Sequence, residues 1–310
     1  MNVTWPTQGK KEWKGHQGRI FDVKDGFHVI DCETCGFKHI VPIPTIDELD
    51  AVYKQEYYSR EKPLYLERHR EDLDWWNMVY DERYDFFEKH LPRERREIID
   101  VGSGPGYFLL RGKQRGWNVQ GIEPSSQAAE HSRSLGIKIF EDFLNQNSIQ
   151  KFNKYDAVHT SEVLEHIPDP EDMLKNTFRL LNPGGIICVS VPNDYNPLQY
   201  ALRVACGYEP WWVAPPHHIN YFDFDSLAAL LQKIGYNILR KESSFPMEQF
   251  LLMGDNYVGN DSLGRECHGR RKEYEHALVH SGLSELKKQL ELFYSTCSIG
   301  RTAVIYAIRP

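Results

Sequence analysis

The stretch Glu97-Ile-Ile-Asp-Val-Gly-Ser-Gly-Pro-Gly-Tyr-Phe108 decides the fold. Ile98, Ile99 and Val101 form a short, mostly β-branched apolar run, as a strand covered on both faces requires. Gly102, Gly104 and Gly106, with Ser103 among them, then let the backbone turn sharply and approach a ligand closely. Tyr107 opens a helical pattern. A strand, a glycine turn and a helix N-terminus together make a site for a nucleotide-like ligand. The dinucleotide pattern Gly-x-Gly-x-x-Gly would need glycine at 107, where Tyr107 stands, and the Gly-Lys-Ser/Thr of a phosphate loop is absent.

Downstream, from about residue 96 to 245, apolar strands alternate with helical patterns, the signature of a parallel sheet with crossover helices. The second strand, 117–122, ends in Glu123, 21 positions after Gly102. A carboxylate there accepts two hydrogen bonds from a ribose diol. The competing reading is a helix-start acid before Pro124. A third strand, 136–140, leads into Glu141, Asp142 and Phe143. A fourth, 154–159, leads into Thr160-Ser-Glu-Val-Leu-Glu-His-Ile-Pro-Asp-Pro170, and Leu180-Leu-Asn-Pro-Gly-Gly-Ile-Ile-Cys-Val-Ser-Val-Pro-Asn193 gives a helix end, a turn and a fifth strand.

In this order and spacing the motifs resemble class I S-adenosylmethionine-dependent methyltransferases, in the small-molecule branch similar to methyltransferase domain 23. The resemblance covers residues 97–240. It implies an α/β, Rossmann-like, seven-stranded and mostly parallel sheet with helices on both faces. It also implies S-adenosyl-L-methionine as cofactor. Carried onto this chain, it gives Asp100 the cofactor's ammonium group, directly or through the loop. Asp142 would accept from the adenine amino group, with the Phe143 backbone amide on the ring. Ser161 would contact the methionine part. His166 would lie near the sulfur or cap the next helix, a positioning role.

Ligands of a parallel sheet bind beyond the carboxyl ends of its strands. The long connection from 194 to 216 carries Tyr195, Trp211 and Trp212 as a candidate substrate wall, and His217 and His218 follow it. His218 matches a His-x-x-(Phe/Tyr)-Phe pattern of the resembling branch. An imidazole near neutral pKa suits removal of an acceptor proton. His218 is therefore the leading base, with His217 second; the alternative is a helix cap. The sixth strand is 235–240 and the last 302–308, so residues 246–300 form an insertion before the last strand. It holds a basic cluster of Arg265, His268, Arg270, Arg271 and Lys272, read either as an anion clamp or as a solvated helix face.

Before the core, residues 1–19 read as polar and loose. Phe27–Ile30 reads as a strand, and Cys32 and Cys35 with Gly36 resemble half of a zinc knuckle. Tetrahedral zinc needs four ligands, and no second Cys-x-x-Cys follows. The favoured expectation is a metal-free remnant. Zinc is the alternative, with His16, His28 and His39 the nearby histidines. A short helix over 46–53 and the run Tyr53, Tyr57, Tyr58 and Tyr65 suit either packing or a lid. Leu73, Trp76, Tyr80, Tyr84 and Phe87 recur at three and four, one face of a helix. The expected divisions are 1–70, 71–245, 246–300 and 301–310.

Composition narrows the partners. The 310 residues are 41% hydrophobic and 13% aromatic, enough for a packed core. A formal charge of -7 argues against a nucleic-acid surface. No apolar run reaches the ~18 residues of a membrane span. Six cysteines without an apolar N-terminal signal point to a reducing, cytoplasmic setting. The sequence sets no oligomeric state. The expected acceptor is a small, polar, anionic molecule, with O-methylation of a sugar or nucleotide-linked sugar first. The rivals are a quinone or lipid-like acceptor, and a non-catalytic cofactor-binding module.

Overall fold

A computed structural model describes residues 3–45, 48 and 65–310 of the chain. The expected helix over 46–53 and the tyrosines at 53, 57 and 58 lie outside the described residues. The described strands are β1 (Lys10–Trp13), β2 (His16–Lys24), β3 (Phe27–Cys32), β4 (Lys38–Val41), β5 (Glu97–Val101), β6 (Asn118–Ile122), β7 (Lys138–Phe140), β8 (Tyr155–Ser161), β9 (Leu181–Pro192), β10 (Asn220–Tyr221), β11 (Asn237–Ser243) and β12 (Thr302–Ile308). The helices are α1 (Tyr65–Glu71), α2 (Leu73–His90), α3 (Tyr107–Gln114), α4 (Ser126–Ser134), α5 (Pro170–Leu180), α6 (Pro197–Cys206), α7 (Phe224–Ile234), α8 (Glu248–Leu252), α9 (Asp261–His280) and α10 (Ser284–Thr296).

Seven strands form one sheet in the order β11-β12-β9-β8-β5-β6-β7. The strand last in sequence thus lies between β11 and β9. The architecture is α/β and Rossmann-like. A second sheet runs β1-β2-β3-β4-β10. The chain divides into two compact units: a first unit of Met1–Ile43, Ser190–Leu230 and Arg240–Ile305, and a second of Pro44–Val189, Leu231–Leu239 and Tyr306–Pro310.

In the second unit β5 runs parallel to β6 and β8, and β6 parallel to β7. Ile98, Ile99, Ala157 and Val158 are fully buried, which is what continuous apolar runs in a covered parallel sheet require. The register matters more for function. Val101 lies opposite Ile122, Ile122 opposite Phe140, and Asp100 opposite His159. Four strands therefore end level, and the segments that follow them emerge at one edge. Helix α2 supports this edge. The Tyr84 hydroxyl donates to the Phe108 carbonyl at 3.0 Å, and the two rings stack. A Cβ on Gly112 would lie 2.1 Å from that hydroxyl, so only glycine lets α3 pass this closely. The buried face of α2 includes Tyr80, Tyr84 and Phe87 of the expected stripe, but also Trp75, Arg83 and Phe86.

In the first unit the small sheet is antiparallel throughout. This corrects the expectation that residues 1–19 are loose. β1 is mostly exposed and pairs with β2 across a turn in which Lys14 and Gly15 both take positive φ. Backbone pairing rather than apolar burial holds it, so it carries no hydrophobic signature. Trp5 also packs, edge-on to Tyr195, Tyr200 and Trp212. The segment 246–300 contains α8, α9 and α10.

Candidate active site

The glycine turn leaves β5 in a left-handed path. Gly102, Gly104 and Gly106 have φ of 76°, 51° and 82°. The N–H groups of Gly102 and Ser103 both donate to the Ile122 carbonyl, at 2.8 and 3.0 Å, which ties the turn to the end of β6. A Cβ on Gly102 would stand 2.3 Å from Val163 Cγ2. Gly102→Ala is expected to lower stability by about 2 kcal/mol and to weaken cofactor binding at least about tenfold. Thermal unfolding and calorimetric titration of the cofactor check this, and unchanged binding would show that the turn tolerates a side chain.

Glu123 follows β6 and is almost wholly buried. Its Oε2 accepts from the Gly104 N–H and its Oε1 from the Ser125 N–H, each at 2.8 Å. Each oxygen keeps a second lone-pair direction, which is what a ribose diol would use. Burial pushes this carboxyl up to about 7; the two amide donors act the other way, and the nearby Asp100 adds to the rise. Asp142, two residues beyond β7, is half-buried and accepts the Phe143 N–H at 2.8 Å. To meet a base as expected, that amide would have to leave the aspartate.

Asp100 lies at the floor of the turn in a buried chain of side chains. His159 Nδ1–H donates to Asp100 Oδ1 at 2.7 Å, and Arg83 donates to His159 Nε2 at 2.5 Å. The Phe108 ring stacks on the imidazole. Burial lowers the His159 pKa, so the ring is neutral and passes the charge of Arg83 toward Asp100. Neither Arg83 nor His159 stands out in the sequence as functional. The one local signal is a charged residue at 83 on an otherwise apolar helix face. His69 was missed as well. It is buried, bonded to the Tyr80 hydroxyl at 2.8 Å, and stacked on Trp76 and Tyr107. Burial takes its pKa down to about 4.

The edge closes with the end of β8. Ser161 is half-buried there, and Thr160 is buried. Glu162 takes φ of 56°, an unusual backbone for a non-glycine residue beside a site. His166 lies in the short turn Leu164–His166, with Nε2 3.7 Å from Glu165 Oε1. Two buried hydroxyls at this edge, Ser103 Oγ and Thr160 Oγ1, have no hydrogen-bond partner. Orphaned buried hydroxyls beside a glycine turn and a half-used carboxylate fit a polar, ribose-bearing ligand.

A family model for a methyltransferase domain matches residues 68–241, over half of the chain. The chain belongs to that methyltransferase family. Curated relatives include ubiquinone biosynthesis O-methyltransferases. That of Stutzerimonas stutzeri (strain A1501) is 30% identical over 128 residues, covering 39% of this chain and 55% of the relative. That of Actinobacillus pleuropneumoniae serotype 7 (strain AP76) is 32% identical over 108 residues, 32% of this chain and 46% of the relative. The chain thus spans about half the length of the curated relatives it matches. A solved S-adenosylmethionine-dependent methyltransferase from Archaeoglobus fulgidus aligns at 14% identity, with a TM-score of 0.48, over 75% of this chain and 94% of that one.

S-adenosylmethionine, the cofactor that the sequence resemblance implies, would supply an electrophilic methyl group on a sulfonium. The residues expected from sequence to hold it, Asp100, Gly102, Ser103, Gly104, Gly106, Glu123, Asp142, Phe143 and Ser161, all lie in the second unit. The other candidates of the methyltransferase, apart from His166, lie in the first unit. Tyr195 and Trp212 are buried in that unit's interior, and the Tyr195 hydroxyl donates to Asp22 Oδ2 at 2.7 Å. Arg203 pairs with the same aspartate at 2.8 Å. Tyr195 is thus engaged in the packing of its own unit. Trp211 is half-buried and packs edge-on to Trp212. His217 and His218 precede β10, and the His218 carbonyl accepts from the Tyr221 hydroxyl. The basic cluster lies along α9, with Arg265 five residues and His268 two residues before Arg270. Arg270 pairs with Asp255 at 2.8 Å and stacks on Phe250, and the buried Arg271 pairs with Glu275 at 3.1 Å. The two adjacent arginines each have an acidic partner within the unit. That is a departure from a clamp open to an anion.

A buried carboxylate of the first unit escaped the sequence reading. Glu248 Oε1 accepts from the side-chain amides of Asn196 and Gln199 at 3.2 and 3.4 Å, whereas Oε2 has no hydrogen-bond partner. Asn196 caps α6 with a reciprocal capping box, which fixes its amide. Nothing local in Pro-Met-Glu248-Gln announces this, because its partners come from 49 and 52 residues away.

Among the described residues no helix is long and apolar enough to cross a membrane.

Proposed function

We propose that this methyltransferase methylates a hydroxyl of a small, planar ring acceptor of the phenol or quinol class. The observation that carries the choice of acceptor is a pocket of about 660 Å³ in the first unit, walled by Tyr208, Trp211 and Tyr257, with Lys24 and Glu209 as its charged residues. That volume suits a small organic molecule, and flat aromatic walls suit a flat ring. The relatives named for ubiquinone biosynthesis are O-methyltransferases, which supports the same acceptor class.

A nucleotide-linked sugar, the first expectation from sequence, needs cations for its phosphates. The engagement of Arg270 with Asp255 and of Arg271 with Glu275 speaks against that role. Methyl transfer to a hydroxyl also needs an acceptor for the proton. His218 remains the proposed base, and Glu248, with one unbonded buried oxygen, is its rival. Alignment of the hydroxyl with the methyl group contributes the rest.

The test offers labelled S-adenosylmethionine with catechols and quinols, and separately with nucleotide-linked sugars. Label is expected in a phenolic ether. Transfer to the sugars alone would overturn the acceptor class. Trp211→Ala is expected to raise the acceptor KM about tenfold with cofactor affinity unchanged. An unaltered KM would remove the pocket from the argument.

A further inference from the structure

Four side chains of the first unit converge at the end of the small sheet. His16 opens β2, Cys32 closes β3, Cys35 lies in the turn that follows, and His39 lies in β4. His16 Nδ1 is 3.2 Å from His39 Nε2, 3.3 Å from Cys35 Sγ and 3.8 Å from Cys32 Sγ. All four donor atoms lie within 4.8 Å of one another. Cys32 and His39 are buried, and His16 and Cys35 are half-buried.

These distances are those of a coordination tetrahedron. With Zn–N near 2.0 Å and Zn–S near 2.3 Å, tetrahedral angles give edges of about 3.3 Å for N–N and about 3.5 Å for N–S. The backbone is arranged to match. Gly36, at φ of 78°, turns the chain so that its N–H donates to the Cys32 carbonyl, while the Cys32 N–H donates to Phe37. That is the tight turn a Cys-x-x-Cys-Gly pair needs to point both sulfurs at one spot. His39 Nδ1–H donates to the Ile40 carbonyl at 2.9 Å, which leaves Nε2 as a lone pair aimed at His16 and the thiols. A backbone acceptor on the far nitrogen is how ligating histidines are held in one tautomer. His28, the third histidine considered from sequence, is not in the group.

We propose that His16, Cys32, Cys35 and His39 bind one zinc ion. Two thiolates and two imidazoles form a closed, four-protein-ligand set, so the ion is structural, with no position for substrate. The close approach of one nitrogen to both sulfurs leaves room for a single ion. A two-iron cluster would put the cysteines and histidines on separate metals. The sheet has reason to need it. The apolar cluster around these ligands is small, Ile20, Ile30, Cys32 and Val41 with Trp13 and Cys35 against it. Small sheets with little to bury are where a bound metal supplies folding free energy. The second Cys-x-x-Cys that sequence reasoning sought is replaced by histidines 16 residues before Cys32 and seven after it, which only the pairing of β2, β3 and β4 brings together.

The full chain, purified under reducing conditions, is expected to carry one zinc per molecule by plasma emission. Zinc should leave with a chelator once the thiols are modified. Replacement by cobalt should give the strong d–d absorption of a tetrahedral site together with thiolate-to-metal charge transfer. Cys32 belongs to the core, so Cys35→Ser and His16→Ala are the variants to compare, and each should lose most of the zinc. The cobalt spectrum of the unaltered chain decides the matter even where a variant misfolds. A reduced chain that takes up no zinc, a cobalt adduct without thiolate charge transfer, or zinc content unchanged in both variants would each overturn the proposal.

Discussion

S-adenosylmethionine is expected to bind about tenfold more tightly at pH 8 than at pH 6, because Glu123 titrates between them. The fold holds this carboxyl almost wholly buried and raises its pKa to about 7. A carboxylate accepts from both ribose hydroxyls, whereas the protonated acid must use one oxygen as a donor. Affinity then follows the ionised fraction, roughly a tenth at pH 6 and nine-tenths at pH 8. Binding near pH 7 should release about half a proton, measurable by calorimetry in buffers of different ionisation enthalpy. Glu123→Gln should bind about ten- to a hundredfold more weakly at pH 8, the worth of hydrogen bonds to a charged group. It should also show a flatter pH profile. Any titration belonging to the cofactor persists in that variant, so the difference between the two profiles isolates Glu123. Identical profiles would exclude it from ribose recognition. The same shift bears on the free protein with the opposite preference. A carboxyl whose folded pKa lies above the ordinary value binds protons more tightly folded than unfolded. The apoprotein therefore loses stability as pH rises from about 4.5 to about 7, by ~3 kcal/mol at most.

That Glu123 could be found from sequence, while its protonation could not, marks a general division in this chain. β5, the glycine turn and the acid after β6 are contiguous or lie at a spacing set by one crossover helix. Their signals are therefore local: β-branched runs, positive-φ glycines and a fixed offset. The level ends of β5, β6, β7 and β8 follow from parallel pairing, so the strand edge of the sheet is legible almost whole. Groups assembled across elements were not. Arg83, His159 and Asp100 come from a helix and two strands, and only the folded register joins them. The zinc-type donor set was half visible, because Cys32 and Cys35 are neighbours and His16 and His39 are not. β1 looks loose in the sequence because its stability comes from backbone pairing that composition does not report. The basic cluster misled for a different reason. Arg271 and Glu275 stand four apart on one helix, a spacing that pairs charges internally, and that local rule outweighs the more suggestive density of arginines.

The buried chain beneath the glycine turn gives the second large effect. Arg83→Leu is expected to cost about 3 kcal/mol in unfolding free energy, since it removes the cation from a buried set and leaves the Asp100 carboxylate without a counter-charge. The neutral His159 cannot replace that charge while its Nε2 is engaged by Arg83. Once Arg83 is gone, Nε2 is open to a proton and Asp100 favours one there, so the His159 pKa rises from its lowered position. A histidine whose folded pKa rises adds stability at low pH and loses it as pH climbs through that value. The penalty of Arg83→Leu should therefore be smaller near pH 5.5 than near pH 8. Asp100→Asn added to Arg83→Leu should recover part of the loss, because the amide oxygen still accepts the His159 Nδ1–H and no buried charge remains. A coupling of about 1–3 kcal/mol between the two sites, read from a double-mutant cycle by urea unfolding, is the expected result. Strict additivity, or a penalty that does not change with pH, would mean that Arg83 fills space beneath the turn and does not balance the charge of Asp100.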